Sequence, residues 1–125
     1  MLFRSTAVTA SSDTADLVAV GTNTAAGSRW VRFDDFAPSN ISIQCNVTGV
    51  VNYTVQSTLD DPNDPINPVA VNSVTWVNSS DTAVVGATAT QQSNFLFAPK
   101  YARILLSSGA GSVTATFLQS SNGPI

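Results

Sequence analysis

An all-β fold, an antiparallel β-sandwich that is jelly-roll-like with eight or nine strands, is what this sequence predicts, on three observations. Apolar and polar residues alternate with period two over several short runs. Clusters of Gly, Pro, Asn and Asp separate those runs. Helix formers are scarce and no stretch reads as a helix, whereas Val/Ile faces backed by Ser/Thr/Asn/Gln faces suit strands. With 125 residues the chain makes one domain. Folding buries about two-thirds of its extended surface, so one core suffices without cross-links.

Residues 1–16 are rich in Ser, Thr and Ala, with Phe3 and Val8 as apolar anchors. They read as an N-terminal arm, extended or forming an edge strand. The sandwich domain spans 17–119 and a polar C-terminal tail 120–125. Residues 15–20 (ADLVAV) form a short apolar strand that ends at Gly21, and 22–28 read as a small-residue loop. In the next strand, 29–33, Trp30 and Arg32 alternate with Val31 and Phe33, and Asp34-Asp35 closes it. Pro38 forces an extended approach to the strand beyond it.

Residues 41–59 carry the clearest pattern. Ile41, Ile43, Cys45 and Val47 share one face. After Thr48-Gly49, Val51, Tyr53 and Val55 share another. The expectation is a β-hairpin with one buried face. The Pro-bearing stretch 60–68 is the longest clear loop. A strand is expected near 73–77 and a turn at 78–81. Residues 82–92 fit a strand or a surface loop equally well, and 95–97 read as a short strand. Residues 101–107 and 112–118 flank Ser108-Gly109-Ala110-Gly111 and read as a second hairpin.

Composition narrows the chemistry. Charged residues are 10%, against about 25% in an average domain. Histidine and glutamate are absent, while Ser and Thr supply the polar surface. The missing histidines remove Ser-His-Asp and Cys-His catalysis and histidine metal sites. The adjacent pairs Asp34/Asp35 and Asp60/Asp61 diverge in extended chain, which argues against a carboxylate pair in glycosidase geometry. No enzyme activity, catalytic residue or cofactor is therefore expected. Gly109-Ala110-Gly111 joins two strands and reads as a turn, not a phosphate loop. The net charge of −3 supplies no basic field, so no direct nucleic-acid binding is expected. No apolar run reaches the roughly 20 residues of a membrane span, and the start of the chain lacks the apolar region of a signal peptide.

A few residues carry a functional reading beside a structural one. Cys45 lies on an apolar face and reads as a buried thiol. Oxygen ligands in the 60–64 loop suit calcium, although an Asp/Asn/Pro turn accounts for them better and no metal site is assigned. Trp30, Tyr53, Trp76 and Tyr101 form either a sugar-binding platform or core, with core favoured, and Tyr53 most clearly so. The N-x-S/T triplets at Asn40, Asn46, Asn52 and Asn78 are little more than chance supplies in a chain this rich in Ser and Thr.

Gly49-Val50-Val51-Asn52-Tyr53-Thr54-Val55-Gln56-Ser57-Thr58-Leu59-Asp60-Asp61-Pro62, then Trp76, then Ala102-Arg103-Ile104 and the GAGSVTATFLQ end, form a pattern. Over residues 29–119 it resembles small structural proteins of tailed bacteriophages, in which a Tyr-Thr-Val-Gln strand precedes a tryptophan strand and a last glycine-turned hairpin. The resemblance implies a jelly-roll-like capsid decoration or cement protein that sits over junctions of the major capsid protein. It implies a homo-oligomer on the capsid surface, located in the virion and assembled in the bacterial host cytoplasm. It carries over no catalytic residue. Two alternatives remain: a lectin-like or receptor-binding sandwich, and a tail or neck connector protein of the virion.

Overall fold

A computed structural model describes residues 3–11, 16–20, 23–28, 30–33, 41–97 and 99–120. The strands in chain order are β1 (Phe3–Ser11), β2 (Asp16–Val20), β3 (Asn23–Gly27), β4 (Val31–Arg32), β5 (Ile41–Thr48), β6 (Asn52–Thr58), β7 (Val77–Asn78), β8 (Gln91–Phe95), β9 (Tyr101–Ser108) and β10 (Ser112–Ser120). Two antiparallel sheets pack face to face. One has the order β1-β10-β5-β8; the other runs β2-β3-β9-β6-β7, with β4 also on β9. This is the predicted all-β sandwich.

The ladders are nested. β1 pairs with β10, β3 with β9, β5 with β8 and β6 with β7, as in one long hairpin closed by the loop after β6. Two further ladders roll that hairpin up: β10 also pairs with β5, and β9 with β6. The two expected hairpins are thereby corrected. β5 and β6 do not pair with each other; they lie in opposite sheets, and so do β9 and β10. Each glycine turn is an arch across the core. Alternation reports which face is buried but not which strand is the ladder partner, so arch and hairpin leave the same pattern.

The two arches stack on one another. Gly111 donates its N–H to the Val50 carbonyl at 2.9 Å, and Gly49 and Gly109 both have positive φ. A Cβ on Gly109 would overlap the Val50 carbonyl oxygen, and one on Gly111 the Thr48 carbonyl oxygen. Only glycine lets the two backbones approach this closely.

Inward residues of both sheets fill the core: Ile41, Ile43 and Cys45 of β5, Tyr53 and Val55 of β6, Ala102, Ile104 and Leu106 of β9, Val113, Ala115 and Phe117 of β10. At one end Phe33 meets Phe117 and Phe95 edge-on, with centroids 5.6 and 6.3 Å apart. Tyr53 is fully buried, and its hydroxyl donates to the Ala89 carbonyl at 2.8 Å, which satisfies the one polar atom it brings inside.

Several local expectations change. The small-residue stretch 22–28 supplies β3, held by backbone bonds to β2 and β9, so it lacks the apolar alternation by which strands are read. The strand expected at 73–77 shrinks to Val77–Asn78, preceded by a 3₁₀ turn at Val71–Ser73. In 82–92, Asp81 caps a 3₁₀ turn, Thr82–Val84, that buries Val84, and β8 begins at Gln91. β8 ends at Phe95, so 95–97 is not a strand of its own. The N-terminal stretch takes the second of its two readings, an edge strand. Residues 34–40 and 121–125, including the Asp34-Asp35 pair, Pro38, Asn40 and most of the tail, lie outside the described residues.

Candidate functional site

Four surface features arise from this arrangement. The first covers β6 and β9, whose outward residues Thr54, Gln56, Thr58, Tyr101 and Arg103 are buried as well as their inward ones. The cover comes from the loop after β6 and from Trp30. Arg103, 4% exposed, lays its guanidinium over the Trp76 ring at 4.2 Å and donates from Nε to Gln56 Oε1 at 2.9 Å. Gln56 in turn donates to Asn78 Oδ1. Burial pulls the Arg103 pKa down to about 10, so it stays charged at neutral pH. Trp30 stands edge-on to Trp76 and to Tyr101, at 5.0 and 5.5 Å. Three of the four aromatic residues singled out from the sequence thus come together, while Tyr53 sits apart in the core. Their rings engage one another and Arg103, as a second small core does, although Trp30 and Trp76 are only partly buried.

The second feature is the acidic loop. Asp61 Oδ1 accepts the Asn63 N–H at 2.9 Å and the Tyr101 hydroxyl at 3.2 Å, and Arg32 lies 3.7 Å from Oδ2. Asp60 Oδ2 accepts from Thr75 N–H at 2.8 Å, so the adjacent pair diverges. Asp64 Oδ1 accepts from the N–H groups of Ile66 and Asn67, which hold its carboxyl below the usual range. These carboxylates organise their own loop as Asx turns do. Among the described residues, no three of His, Cys, Asp and Glu gather where they could hold a metal ion.

The third feature is the outer face of the four-stranded sheet. Ala7 and Thr9 of β1, Thr114, Thr116 and Leu118 of β10, Ser42, Gln44 and Asn46 of β5, and Gln92 and Asn94 of β8 point outward, and none is charged. The Thr9 and Thr114 hydroxyls bond at 2.8 Å, and Gln44 bridges Asn46 and Gln92 at 3.2 and 3.4 Å. A shallow depression of about 430 Å³ lies on this face, lined by Gln44, Gln92, Thr116 and Leu118 among others. The alternation of the sequence contains this face, but there it reads only as the solvent side of a hairpin.

The fourth is an apolar groove of about 210 Å³ between β7 and the end of β8, with Phe95 at its base and Leu59, Val77 and Phe97 exposed along it. These residues come from three separate stretches, so no local pattern announces it. Cys45 lies elsewhere, fully buried. Desolvation pushes its thiol up to about 11, which makes it a core residue and a poor nucleophile at neutral pH.

Fold and surfaces together define an all-β sandwich whose distinguishing features are broad faces. Comparison with protein-family models, curated proteins and solved structures found no match.

Proposed function

We propose that this chain is a virion structural protein, a cement or decoration subunit that binds the major capsid protein shell of a tailed bacteriophage and stabilises it. The resemblance of residues 29–119 to phage structural proteins suggests the class. The observation that carries the reading is the uncharged outer face of the four-stranded sheet. Hydroxyl and amide groups exchange water for partner hydrogen bonds at a cost far below that of burying charge. Such a face suits a subunit laid on a large protein lattice, and the apolar groove beside Phe97 adds a place for an anchor residue.

Strand order supports the jelly-roll reading. Taking β1, β3, β5, β6, β7, β8, β9 and β10 as strands one to eight, the sheets run 1-8-3-6 and 2-7-4-5, the order of a rolled-up long hairpin. In this reading the protein acts by mass action: it binds the expanded shell and not its precursor, and so shifts the equilibrium toward the former. Each site filled at a hundredfold excess over Kd contributes about 2.7 kcal/mol, and the repeating lattice adds avidity.

The experiment is to mix purified protein with expanded shells and precursor shells, then measure binding and the temperature at which the shells burst. Binding to the expanded shell with a raised bursting temperature is expected. Unchanged shells, with the protein found only at the tail or neck of intact particles, would sink the cement reading and favour the connector. A lectin-like module remains the second reading because Trp30 and Trp76, in edge contact with each other, are only partly buried. Glycan binding abolished by Trp76→Ala, with no binding to shells, would select it.

A further inference from the structure

β1 lies at one edge of the four-stranded sheet and is nine residues long. It pairs with β10 over its whole length without a break in register and, among the described residues, with no strand on its other side. Alternate residues of such an edge present N–H and C=O groups outward, a template for another strand. The usual blocking devices are missing: β1 has no proline, no glycine and no bulge, and Arg4 is its one charged residue. The other edge strands are shorter, five residues in β2 and in β8 and two in β7. The core is also open at this margin. Val8 packs against it only half-buried, while its ladder neighbour Ala115 is fully buried.

We infer that a second copy of this chain docks here, β1 against β1, antiparallel about a two-fold axis at Ala7. This register overlaps all nine residues, setting Phe3 opposite Ser11, Arg4 opposite Ala10, Ser5 opposite Thr9 and Thr6 opposite Val8. Members of each pair share a parity along the strand, so the inward Thr6 and Val8 of one copy meet the inward Val8 and Thr6 of the other. The half-buried Val8 gains Thr6 of the second copy as cover. The two Arg4 residues stand at opposite ends of the pair, and the small exposed Ala7 sits at its centre. The product is one continuous sheet of eight strands. This inference stands apart from the virion reading, since it rests on the strand edge alone.

Mass in solution and cross-linking test it. Light scattering should give twice the 13.0 kDa of one chain. Ala7→Lys, on an exposed site that leaves the fold intact, sets two lysines face to face and should return the monomer mass with unchanged circular dichroism. Asn94→Lys on β8 should leave the dimer intact. Residues directly opposite have Cα atoms about 4.5–5.5 Å apart, within the reach of a disulfide, so Ala7→Cys should link two chains on mild oxidation. Thr9→Cys, displaced about 13 Å from its counterpart, should not, and the buried Cys45 does not compete. A monomer mass at every concentration overturns the inference. So does dissociation by Asn94→Lys but not Ala7→Lys, or linking of Thr9→Cys as readily as Ala7→Cys.

Discussion

Gly111→Ala is the sharpest probe of the stacked arches. Its φ is ordinary, so alanine meets no intrinsic backbone penalty there. The added Cβ would, however, overlap the Thr48 carbonyl oxygen and lie 2.8 Å from Val50 N and 2.9 Å from Gly49 C. All three are backbone atoms of the other arch, which cannot rotate away as a side chain would. The arches must separate, and overpacking of this kind costs about 1–3 kcal/mol. Separation also lengthens the 2.9 Å Gly111 N–H to Val50 carbonyl bond, worth about 0.5–1.5 kcal/mol. The expected loss is about 2–4 kcal/mol, a large part of the stability of a small domain. In urea it should lower the unfolding midpoint by about 1–2 M. Gly86→Ala is the comparison: Gly86 has φ +62°, but its Cβ would meet only Asn52 Oδ1 at 3.8 Å. That substitution should cost about 1–2 kcal/mol, from backbone conformation alone. If Gly111→Ala is as stable as wild type, or less harmful than Gly86→Ala, the arches do not stack as described and a hairpin pairing of β5 with β6 returns.

Three further outcomes concern the outer cluster, the buried thiol and phenol, and the turn carboxylates. Trp76→Ala removes the ring over Arg103 and the edge contact with Trp30, and should cost about 2–3 kcal/mol in denaturant titrations, with loss of near-ultraviolet circular dichroism but not of strand content. In alkali, stability should be complete below about pH 9 and fall by about 3 kcal/mol as the pH passes 11, because the buried Cys45 thiol ionises more readily in the unfolded chain. Tyr53, also pushed up by burial, acts in the same direction at higher pH. Cys45→Ala should flatten the part of the decline between pH 9 and 11, and an unchanged profile would contradict the assignment. In acid the sign reverses. Backbone N–H groups hold the Asp64 and Asp81 carboxyls below their ordinary values, so their contribution is present above about pH 4 and lost as the pH falls through the folded values.

What the sequence made legible was whatever repeats with period two. Ile41, Ile43 and Cys45, then Val51, Tyr53 and Val55, belong to the core by spacing alone, and all are buried. Partnership between strands was not legible, because β5 looks the same whether its inward face lies beside β6 or across the core from it. β3 escapes the pattern because Asn-Thr-Ala-Ala-Gly offers backbone hydrogen bonds and little else. The aromatic cluster was half legible: Trp30, Trp76 and Tyr101 stand out together, but Arg103, which holds Trp76, reads as an exposed charge between apolar neighbours. Its burial depends on a loop that succeeds a different strand. The Asp turn was legible where Asp61 and Asp64 act on their own backbone within a few residues, but not where Asp60 reaches Thr75 N–H or Asp61 the Tyr101 hydroxyl.

The nested ladders also set a timetable for folding. β10, the last of the described strands, lies between β1 and β5, and β1 meets it more than one hundred residues along the chain. Until residues 112–120 emerge, among the described residues β1 has no ladder partner and β5 has only β8. The four-stranded sheet therefore closes only after residues 112–120 are made, and the long-range pairing places this domain among slow folders, on the millisecond-to-second scale. A chain cut before Ser112 would leave β1 and β5 without β10, and would expose their unpaired edges to other chains in the meantime.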